Sequence, residues 1–413
     1  MILPPYYPVH PELQKDWAKY LDSWVKTDKE VGKILNDLKI AGRLDATAVF
    51  LWTDHGVSHL RGKQFLYEEG IRVPMIIRLP RMQRAGTVRN DLIEHIDVAA
   101  CSLNLAGIKA PNNIQGRDFF SADYKSRRFI FAGRDRCDET VDIQRCVRDS
   151  RYKYIRNFMS HIPHTQPSQY KDGKKIMQVL RGLHKEGKLN EQQARPFAPR
   201  RPPEELYDLD SDPYELVNLA LEPKHQNNLL AMRKVLIQKM IETRDVGLIP
   251  EPILEDLGRE AGNKYKVFLD NDPSHQTSRL IDVITSGEAN NVAKLLEYTK
   301  SPDPSTRYWA AVWLGVNEAT QGKAMLLKLT TDRVPTIRVA AAQALYRLGD
   351  LSKLIILFDH INDPNLLVGM FALRAIEELG EAGKAHKAKI AIAQKLKYEF
   401  SRRIARRLTE KWR

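Results

Sequence analysis

Apolar residues recur at helical spacing along the first forty positions of the chain. They are Leu13, Trp17, Leu21, Trp24, Val31, Leu35 and Leu38, and the pattern stops at Gly42. A spacing of three or four residues places such side chains on one face of a helix. We therefore predict a long amphipathic helix with a break near Thr27.

Short apolar runs follow this helix and predict an α/β region. The run ATAVFLW, residues 46–52, has the length and composition of a buried parallel strand, and VPMIIRL, residues 73–79, predicts a second strand. A helix ending at Gly107 is predicted from IDVAACSLNLAGI. Further strands are predicted over RFIFAG, IQRCVRD and YKYIRN, with a hairpin turn at residues 149–151.

The middle of the chain is rich in proline and charge. We predict long surface loops from HIPHTQPSQYKDGKK, residues 161–175, and from ARPFAPRRPPEELYDLDSDPYELVNLA, residues 194–220. A helix is predicted after them, over residues 226–244.

Three similar stretches then follow, each an Ala- and Leu-rich helix near an Asp and a Pro. Their prolines, Pro304, Pro335 and Pro364, lie 31 and 29 residues apart. This period resembles that of HEAT-like repeats, in which paired helices stack as an α-solenoid. We expect these repeats either to have a structural role or to bind a protein partner. The predicted domains are residues 1–157, α/β; 158–272, loops and a helix; and 273–413, helical repeats with a basic tail.

Composition places the chain among globular proteins. Its 413 residues exceed one average domain, and 43% of them are hydrophobic. No apolar run approaches the roughly 20 residues that span a bilayer, so we expect no transmembrane segment. The first fifteen residues lack the pattern of a secretory signal. Cys101, Cys137 and Cys146 form neither a metal-type pair nor a disulfide framework.

The net charge of +13 is concentrated in the tail. Residues 384–413 hold eleven Lys or Arg and two Asp or Glu, a net charge of +9 that leaves +4 for the rest of the chain. Such a tail could contact an acidic partner, nucleic acid or a lipid surface. We expect instead a solvated terminal helix whose apolar side chains pack on the preceding domain, namely Ile390, Leu396, Phe400, Ile404 and Leu408. Nucleic acid is not the expected partner.

Charged residues follow the strand predicted over residues 46–52. Asp54 and His55 come directly after it, and Lys63 lies nine residues beyond Asp54. Ligands bind at the carboxyl ends of strands in open α/β sheets. A carboxylate there suits a hard cation, and an ammonium group suits an anion. The alternative is that Asp54 and His55 cap the next segment and that Lys63 is solvated.

The wider pattern resembles the formylglycine-dependent sulfatases of the alkaline-phosphatase-like superfamily. TDHGVSHLRGKQFLYEEGIRVPMIIR, residues 53–78, is similar to a family segment that ends a strand on Ser/Thr-Asp-His/Asn-Gly and continues to Gly-Lys and Tyr-x-x-Gly-x-Arg-Val-Pro. Residues 91–119 and 205–220 resemble two further family blocks in the correct order. LRGKQFLYEEG and GRDRCDET are similar to bacterial members near heparan N-sulfatase. The resemblance implies a partial sulfatase α/β fold with a small antiparallel sheet, followed by the all-α solenoid.

The resemblance also implies site residues and a cofactor. Asp54 would be a Ca²⁺ ligand, and His55 would occupy the second ligand position or steady the leaving oxygen. Lys63 would contact the sulfate oxygens and offset negative charge in the transition state. Arg134 and Arg136 would recognise an anionic sugar, although an ion network with Asp135, Asp138 and Glu139 is the alternative. Asp97, Tyr207 and Pro213 are expected to be structural, and His59, His161 and His164 to be ordinary loop histidines.

The family's nucleophile has no counterpart in this sequence. Formylglycine is made from the first residue of Cys/Ser-x-Pro-x-Arg, and no such stretch occurs among the 413 residues. Met1 aligns with about the middle of the family's pattern, so the chain resembles the carboxy-terminal portion of a sulfatase. We expect no hydrolysis by this chain alone, because no evident group would attack sulfur.

Two functions remain in view at this point. The first is a sulfatase that acts on sulfated glycans or related sulfate esters or sulfamates, represented here by an incomplete catalyst. The second is a non-catalytic, sulfatase-derived protein that binds a partner through its repeats. Family members are often periplasmic or secreted, and the sequence leaves the localisation of this chain open.

Overall fold

The computed structural model describes residues 2–270 and 273–412, which divide into two compact units. The first unit contains Met1–Arg134, Gln144–Arg156 and Pro163–Arg233, and the second contains Asp135–Ile143, Asn157–Ile162 and Lys234–Arg413. Over the described residues, no helix combines the length and the apolar character needed to cross a membrane.

The first unit mixes helices with two small sheets. Its helices are α1 Pro11–Ile40, α2 Glu68–Ile71, α3 Asp97–Leu105, α4 Gln169–Asp172, α5 Lys175–Lys185 and α6 Glu191–Ala194, and α7 Gln226–Glu242 begins in this unit. Its strands are β1 Val49–Trp52, β2 Met75–Arg78, β3 Ile130–Arg134, β4 Gln144–Arg148, β5 Tyr152–Asn157 and β6 Glu204–Asp208.

Helix α1 is longer and more regular than the sequence suggested. Pro11 occupies its first turn, where a missing N–H is tolerated, and His10 Nδ1 accepts a hydrogen bond from the backbone N–H of Glu12 at 3.1 Å. The predicted break near Thr27 is wrong, because α1 is continuous for 30 residues. The Thr27 hydroxyl donates to the carbonyl of Ser23 at 3.0 Å, within the same helix. The predicted stop is confirmed by Gly42, whose φ is +64°.

The strand after α1 is neither parallel nor buried, which corrects the prediction for residues 46–52. β1 pairs antiparallel with β2, from Val49 opposite Arg78 to Trp52 opposite Met75. Arg78 ties the end of β2 to the turn before β1, because its guanidinium donates to the carbonyl of Leu44 at 2.7 Å. This pair forms a sheet of two strands, so both of its faces remain partly exposed.

The four-stranded sheet confirms the later strand predictions. Its order is β3-β4-β5-β6, and β3–β4 and β5–β6 are antiparallel. The predicted hairpin turn at residues 149–151 is present: Asp149 Oδ1 accepts hydrogen bonds from the N–H groups of Arg151 and Tyr152 at 2.8 and 2.6 Å. Cys146, Ile155 and Tyr207 from this sheet pack with Phe65 and Leu66 in one buried cluster.

The stretch predicted as surface loops is more ordered than expected. Residues 164–166 and Ser168 are buried, and α4 begins directly after Ser168, whose side chain caps it. α5 buries Ile176, Met177 and Leu180 against Leu13 of α1. Strand β6 lies within the second predicted loop. The proline content misled the prediction, because these prolines lie between short elements rather than in one long loop.

The second unit is built from helices. They are α8 Glu251–Ala261, α9 Lys264–Asp270, α10 Pro273–Glu288, α11 Val292–Tyr298, α12 Pro304–Val316, α13 Lys323–Leu329, α14 Pro335–Arg347, α15 Leu354–Asp359, α16 Leu366–Glu378, α17 Lys387–Ala393 and α18 Glu399–Lys411. From α11 onward a short helix alternates with a longer one, and successive long helices pack on each other. Pro304 and Pro335 each occupy the first turn of a long helix, whereas Pro364 lies just before the capping residue Asn365 of α16.

The basic tail packs as expected. Ile390, Ile404 and Leu408 are buried in the same apolar cluster as α16, and Leu396 and Phe400 pack against it. Part of the tail's charge is neutralised within the second unit. Arg403 and Arg407 both form ion pairs with Glu139, at 3.3 and 2.8 Å, and Glu139 is fully buried.

Candidate functional site

The loop that follows β1 is held by close backbone contacts at two glycines. A methyl group on Gly56 would lie 1.7 Å from the carbonyl oxygen of Glu69, and one on Gly62 would lie 1.8 Å from that of Val57. Both distances are far below van der Waals contact, so these positions accept only glycine. The backbone N–H of Lys63 donates to Val57 at 2.8 Å. The loop therefore presents its side chains from a fixed backbone.

Asp54 and His55 lie at the carboxyl end of β1, as the sequence predicted. Asp54 Oδ2 and His55 Nε2 are 3.4 Å apart, and their side chains are 85% and 32% exposed. His55 Nδ1 lies 2.7 Å from the carbonyl of Gly56. Because a carbonyl only accepts, Nδ1 carries the proton, and in the neutral ring Nε2 presents a lone pair to Asp54. Asp54 Oδ2 and His55 Nε2 are then both acceptors, and a proton or a cation between them would offset their repulsion.

The described residues do not make up a whole Ca²⁺ site. Ca²⁺ takes six to eight oxygen ligands, and this strand end offers the carboxylate of Asp54 and the hydroxyl of Thr53, which is buried without a hydrogen-bond partner. In residues 2–270 and 273–412, no three His, Cys, Asp or Glu side chains form a group suited to a metal ion. We therefore derive no chemical step through a metal.

Lys63 lies beside residues of α4 and α5 that are more than a hundred positions away in sequence. Its Nζ is 5.1 Å from the centre of the Tyr170 ring, and Lys174 Nζ is 4.7 Å from the same ring. Ser58 connects the group: its Oγ is 2.9 Å from Tyr170 Oη and accepts a hydrogen bond from Lys174 Nζ at 2.6 Å. We call Ser58, Lys63, Tyr170 and Lys174 the basic cluster.

A buried lysine, Lys171, holds the loop that carries Lys63. Lys171 is 4% exposed, and its Nζ donates to the carbonyls of His59 and Lys63 at 2.6 and 2.9 Å. These bonds join α4 to the loop on either side of Arg61. The segment 169–175 therefore both fixes the loop and adds a second ammonium group beside Lys63.

The electrostatics of the basic cluster favour an anion. Among the residues that the structure describes, neither Lys63 nor Lys174 forms an ion pair with a carboxylate. The pKa of Tyr170 is lowered, by its hydrogen bond with Ser58 and then by the ammonium groups of Lys174 and Lys63, which together outweigh the effect of burial. Two ammonium groups, a hydroxyl and a phenol are suitable donors to the oxygens of sulfate.

A cavity of about 550 Å³ opens beside this cluster, within the first unit. Its wall includes Asp54, His55 and, from the basic cluster, Ser58. Trp17, Tyr20 and Trp24 of α1 form another part of the wall. Small-molecule sites commonly have volumes of about 300–1,000 Å³, so the cavity is large enough for a sugar unit.

The two arginines assigned to an anionic sugar lie elsewhere. Arg134 belongs to the first unit, is 7% exposed, and stacks on Phe65 with its Cζ 4.7 Å from the ring centre. Arg136 belongs to the second unit and binds Glu251 through two hydrogen bonds of 2.5 and 3.0 Å. Arg134 does not line the cavity beside Asp54, and Glu251, the partner of Arg136, is not one of the carboxylates of the ion-network alternative.

The cysteines do not fit a formylglycine or a thiolate nucleophile. Burial raises the pKa of both Cys101 and Cys146 to about 12, so both stay protonated at neutral pH. Cys137 lies in the second unit, in a turn where its carbonyl accepts from Thr140. None of the three begins the required Cys-x-Pro-x-Arg stretch. We derive no covalent step within this chain.

Asp97 and Tyr207, which the sequence predicted to be structural, form hydrogen bonds inside the protein. Asp97 is fully buried and binds Arg127 through two hydrogen bonds of 2.5 and 2.6 Å. Tyr207 donates to Glu205 at 2.5 Å inside the sheet. Among the loop histidines, His59 is 2.9 Å from Asp16 and its pKa is lowered by burial, His164 lies against Tyr67, and His161 packs on Trp313.

Sequence reasoning missed Ser58, Tyr170 and Lys174. Tyr170 lies in α4, whereas Lys174 is the extended capping residue before α5, so no helical spacing connects them. The surrounding prolines favoured a loop. The meeting of Tyr170 and Lys174 with Lys63 depends on tertiary contacts that no local pattern reports.

Two family models match the chain. Residues 5–108 match the model described as Sulfatase, and residues 292–377 match the model described as HEAT repeats. Both matches confirm resemblances that the motifs had indicated. The first covers Asp54, His55 and Lys63, and the second covers the three helical stretches with their spaced prolines.

Several known proteins are similar to this chain over longer regions. An ulvan-active sulfatase from Formosa agariphila is 38% identical over 250 residues, which are 60% of this chain and 42% of that relative. Human N-sulphoglucosamine sulphohydrolase is 24% identical over 278 residues, 62% of this chain and 54% of the human protein. A solved 2-O GAG sulfatase aligns at a TM-score of 0.39 and 21% identity, over 53% of this chain and 41% of the other. The aligned region thus spans about half of each known protein or less.

Proposed function

We propose that the chain, of which residues 5–108 match the sulfatase family model, binds sulfated glycans for sulfate-ester or sulfamate hydrolysis. Its relatives include an enzyme active on ulvan and one that acts on N-sulphoglucosamine. In this proposal the chain supplies residues that bind the sulfate group. The nucleophile is left out of the assignment, because no residue of the chain fits it.

The observation that supports this proposal most directly is the basic cluster. Lys63 is the family-matched lysine, and Lys174 places a second ammonium group 4.7 Å from the centre of the same Tyr170 ring. We propose that a sulfate group binds between these two side chains, with Ser58 and Tyr170 as hydroxyl donors. Charge-assisted hydrogen bonds of this type contribute about 1.5–3 kcal/mol each, which suits recognition of a small anion.

In the proposed reaction the residues of this chain act by binding and orientation. The ammonium group of Lys63 offsets the negative charge that develops on the sulfate oxygens as the bond to sulfur breaks. His55 would steady the leaving oxygen, and Asp54 would supply one carboxylate to Ca²⁺, the ion that in this family adds positive charge at the sulfate.

Titration with inorganic sulfate tests the proposal directly. We expect Lys63→Ala and Lys174→Ala each to weaken sulfate binding about tenfold, since each removes one charge-assisted contact. Isothermal titration calorimetry measures this change. Lys188→Ala is a matched control, because Lys188 is 65% exposed and pairs only with Glu186 near the end of α5. Unchanged sulfate affinity in both cluster variants would contradict the proposal.

Calcium is tested in the same titrations. We expect Ca²⁺ alone to bind weakly, because one carboxylate and one hydroxyl fill a small part of its shell. Ca²⁺ should tighten sulfate binding, and Asp54→Asn should remove that effect while leaving calcium-free sulfate binding unchanged. Equal calcium effects in the parent chain and in Asp54→Asn would exclude Asp54 as a ligand.

A further inference from the structure

Three aromatic side chains form a column on one face of α1. Trp17, Tyr20 and Trp24 follow each other at intervals of three and four residues, which places them on one side of the helix. The ring centres of Trp17 and Tyr20 are 5.6 Å apart, and those of Tyr20 and Trp24 are 6.4 Å apart. We call these three residues the aromatic column.

The column lines the same cavity as the sulfatase motif. All three rings contribute to the wall of the 550 Å³ space that Asp54, His55 and Ser58 also border. Ser58 belongs to the basic cluster, so the aromatic wall and the proposed anion site adjoin within one unit of the fold. A ligand whose anionic group reached Ser58 would extend its remaining atoms along this cavity.

Trp17, at one end of the aromatic column, packs on the protein core, whereas Trp24, at the other end, is half-buried. Trp17 packs with the buried cluster that contains Tyr7 and Leu13, and its ring centre lies 5.0 Å from that of His59, which Asp16 holds. Beyond Tyr20, every residue from Leu21 to Glu30 is exposed except Trp24, which is half-buried. Packing among the described residues therefore explains Trp17 but does not explain the rings of Tyr20 and Trp24, which lie on a stretch where the apolar side chains of Leu21 and Val25 are also exposed.

Rigid aromatic rings beside an anion site suit one class of ligand. A pyranose ring has one face of C–H groups that makes dispersion contacts with an indole or phenol ring, while its hydroxyls stay available for hydrogen bonds. Tryptophan and tyrosine offer large contact areas at low entropic cost, because each has only two side-chain torsions. An aromatic wall in the cavity that Ser58 also lines, with Lys174 bonded to Ser58, thus matches a sugar that carries a sulfate group.

We propose that the aromatic column is a saccharide subsite that stacks on a pyranose ring of the sulfated glycan bound at the basic cluster. The inference deepens the proposed function and rests on it for the position of the sulfate group. Trp24 and Tyr20 contact the sugar in this proposal, and Trp17 supports Tyr20 from the core.

The experiment compares three probes: a 6-O-sulfated disaccharide containing N-acetylglucosamine, its unsulfated counterpart, and inorganic sulfate. Binding is followed by tryptophan fluorescence and by isothermal titration calorimetry. We expect Trp24→Ala to weaken binding of both disaccharides about tenfold and to leave inorganic sulfate binding unchanged. Trp24→Tyr should keep most of the sugar affinity, because a stacking ring remains. Trp52→Ala is the control, since Trp52 is 39% exposed and does not line the cavity.

The outcomes separate this proposal from the proposed function. If Lys63→Ala and Lys174→Ala leave sulfate binding intact while Trp24→Ala weakens both disaccharides, the anion site is wrong and the saccharide subsite stands. If Trp24→Ala and Tyr20→Ala bind the disaccharides as tightly as the parent chain, or if the parent chain binds neither disaccharide, the saccharide subsite is overturned. Circular dichroism checks that each variant is folded. We expect Trp24→Ala to fold, because Trp24 is only half-buried.

Discussion

The two units of this chain bury different kinds of side chain. The first unit encloses charged groups: Lys153 is fully buried, with its Nζ 2.7 and 2.8 Å from carboxylate oxygens of Glu68 and Glu215. In the second unit the buried side chains of α12, α14 and α16 are mainly alanine, leucine and valine, and the buried Glu139 pairs with Arg403 and Arg407 of the terminal helix. The repeats thus depend on apolar packing between neighbouring helices, whereas the first unit depends on specific long-range polar contacts.

This difference follows from how each unit is connected. A repeat buries its apolar face on the next repeat, so the same local pattern serves each time. The first unit must hold loops such as residues 53–63 against distant segments, and those loops carry backbone polar groups that need partners when buried. Buried lysines meet that need: Lys153 and Lys171 both donate to loop carbonyls. The comparison predicts that single charges affect the first unit most.

The largest effect is expected at Lys153. Burial alone would lower its pKa, but the charges of Glu215 and Glu68 outweigh burial and raise the pKa. Lys153→Ala would leave the buried Glu215 with only its longer, 4.0 Å ion pair to Arg61 and should cost about 3–5 kcal/mol in unfolding free energy. Hydrogen exchange with mass spectrometry should show lost protection in peptides of the first unit. Lys188→Ala, in an exposed pair of the same unit, should leave stability almost unchanged. Equal effects of the two changes would show that the buried charge of Lys153 does not stabilise the first unit.

A smaller effect, with a pH dependence, is expected at Glu69. Burial raises the pKa of Glu69 from 4.5 to about 7, despite a hydrogen bond of 2.6 Å from Tyr6. The folded state therefore holds this proton more tightly than the unfolded state. The resulting stabilisation is complete below pH 4.5 and is lost as pH rises through about 7.

As pH rises from 4.5 to about 7, the unfolding free energy of the parent chain should fall by an amount of order 2 kcal/mol. Glu69→Gln should not show this fall. Denaturant titrations at pH 5, 6 and 7 measure it. Glu186→Gln is the control with the opposite sign, because Lys188 lowers the pKa of Glu186 and its contribution is lost as pH falls. Parallel pH profiles for the parent chain and Glu69→Gln would show that Glu69 is not the group responsible.

The smallest effect is expected at a helix cap in the repeats. Asp303 Oδ2 accepts hydrogen bonds from the backbone N–H and the hydroxyl of Thr306, at 2.9 and 2.6 Å. Asp303→Ala should cost about 1 kcal/mol. Val334 holds the corresponding place before α14 and makes no side-chain cap, so Val334→Asp should stabilise by a similar amount. Thermal unfolding measures both changes. A loss on Val334→Asp would mean that packing at Val334 outweighs capping.

Local signals predicted the repeats better than the site. The prolines and the Ala/Leu-rich stretches indicate α12 and α14 because helix start signals and apolar periodicity act over a few residues. The site was predicted in part: Asp54, His55 and Lys63 lie on one loop, but Arg134 and Arg136 lie in different units. Tyr170 and Lys174 were missed because they join Lys63 only through contacts more than a hundred residues apart in sequence.

The sequence by itself determined the sulfatase motif at the end of β1, the glycines that fix its loop, and the helical repeats with their basic terminal helix. These features depend on backbone conformation and on periodic burial, which neighbouring residues specify. Tertiary structure alone decided that β1 pairs antiparallel with β2, that Lys153 is buried between two carboxylates, and that the aromatic column borders the cavity beside Asp54. Each of these arrangements depends on which distant surfaces pack together, and the free energy of that packing belongs to the folded chain as a whole.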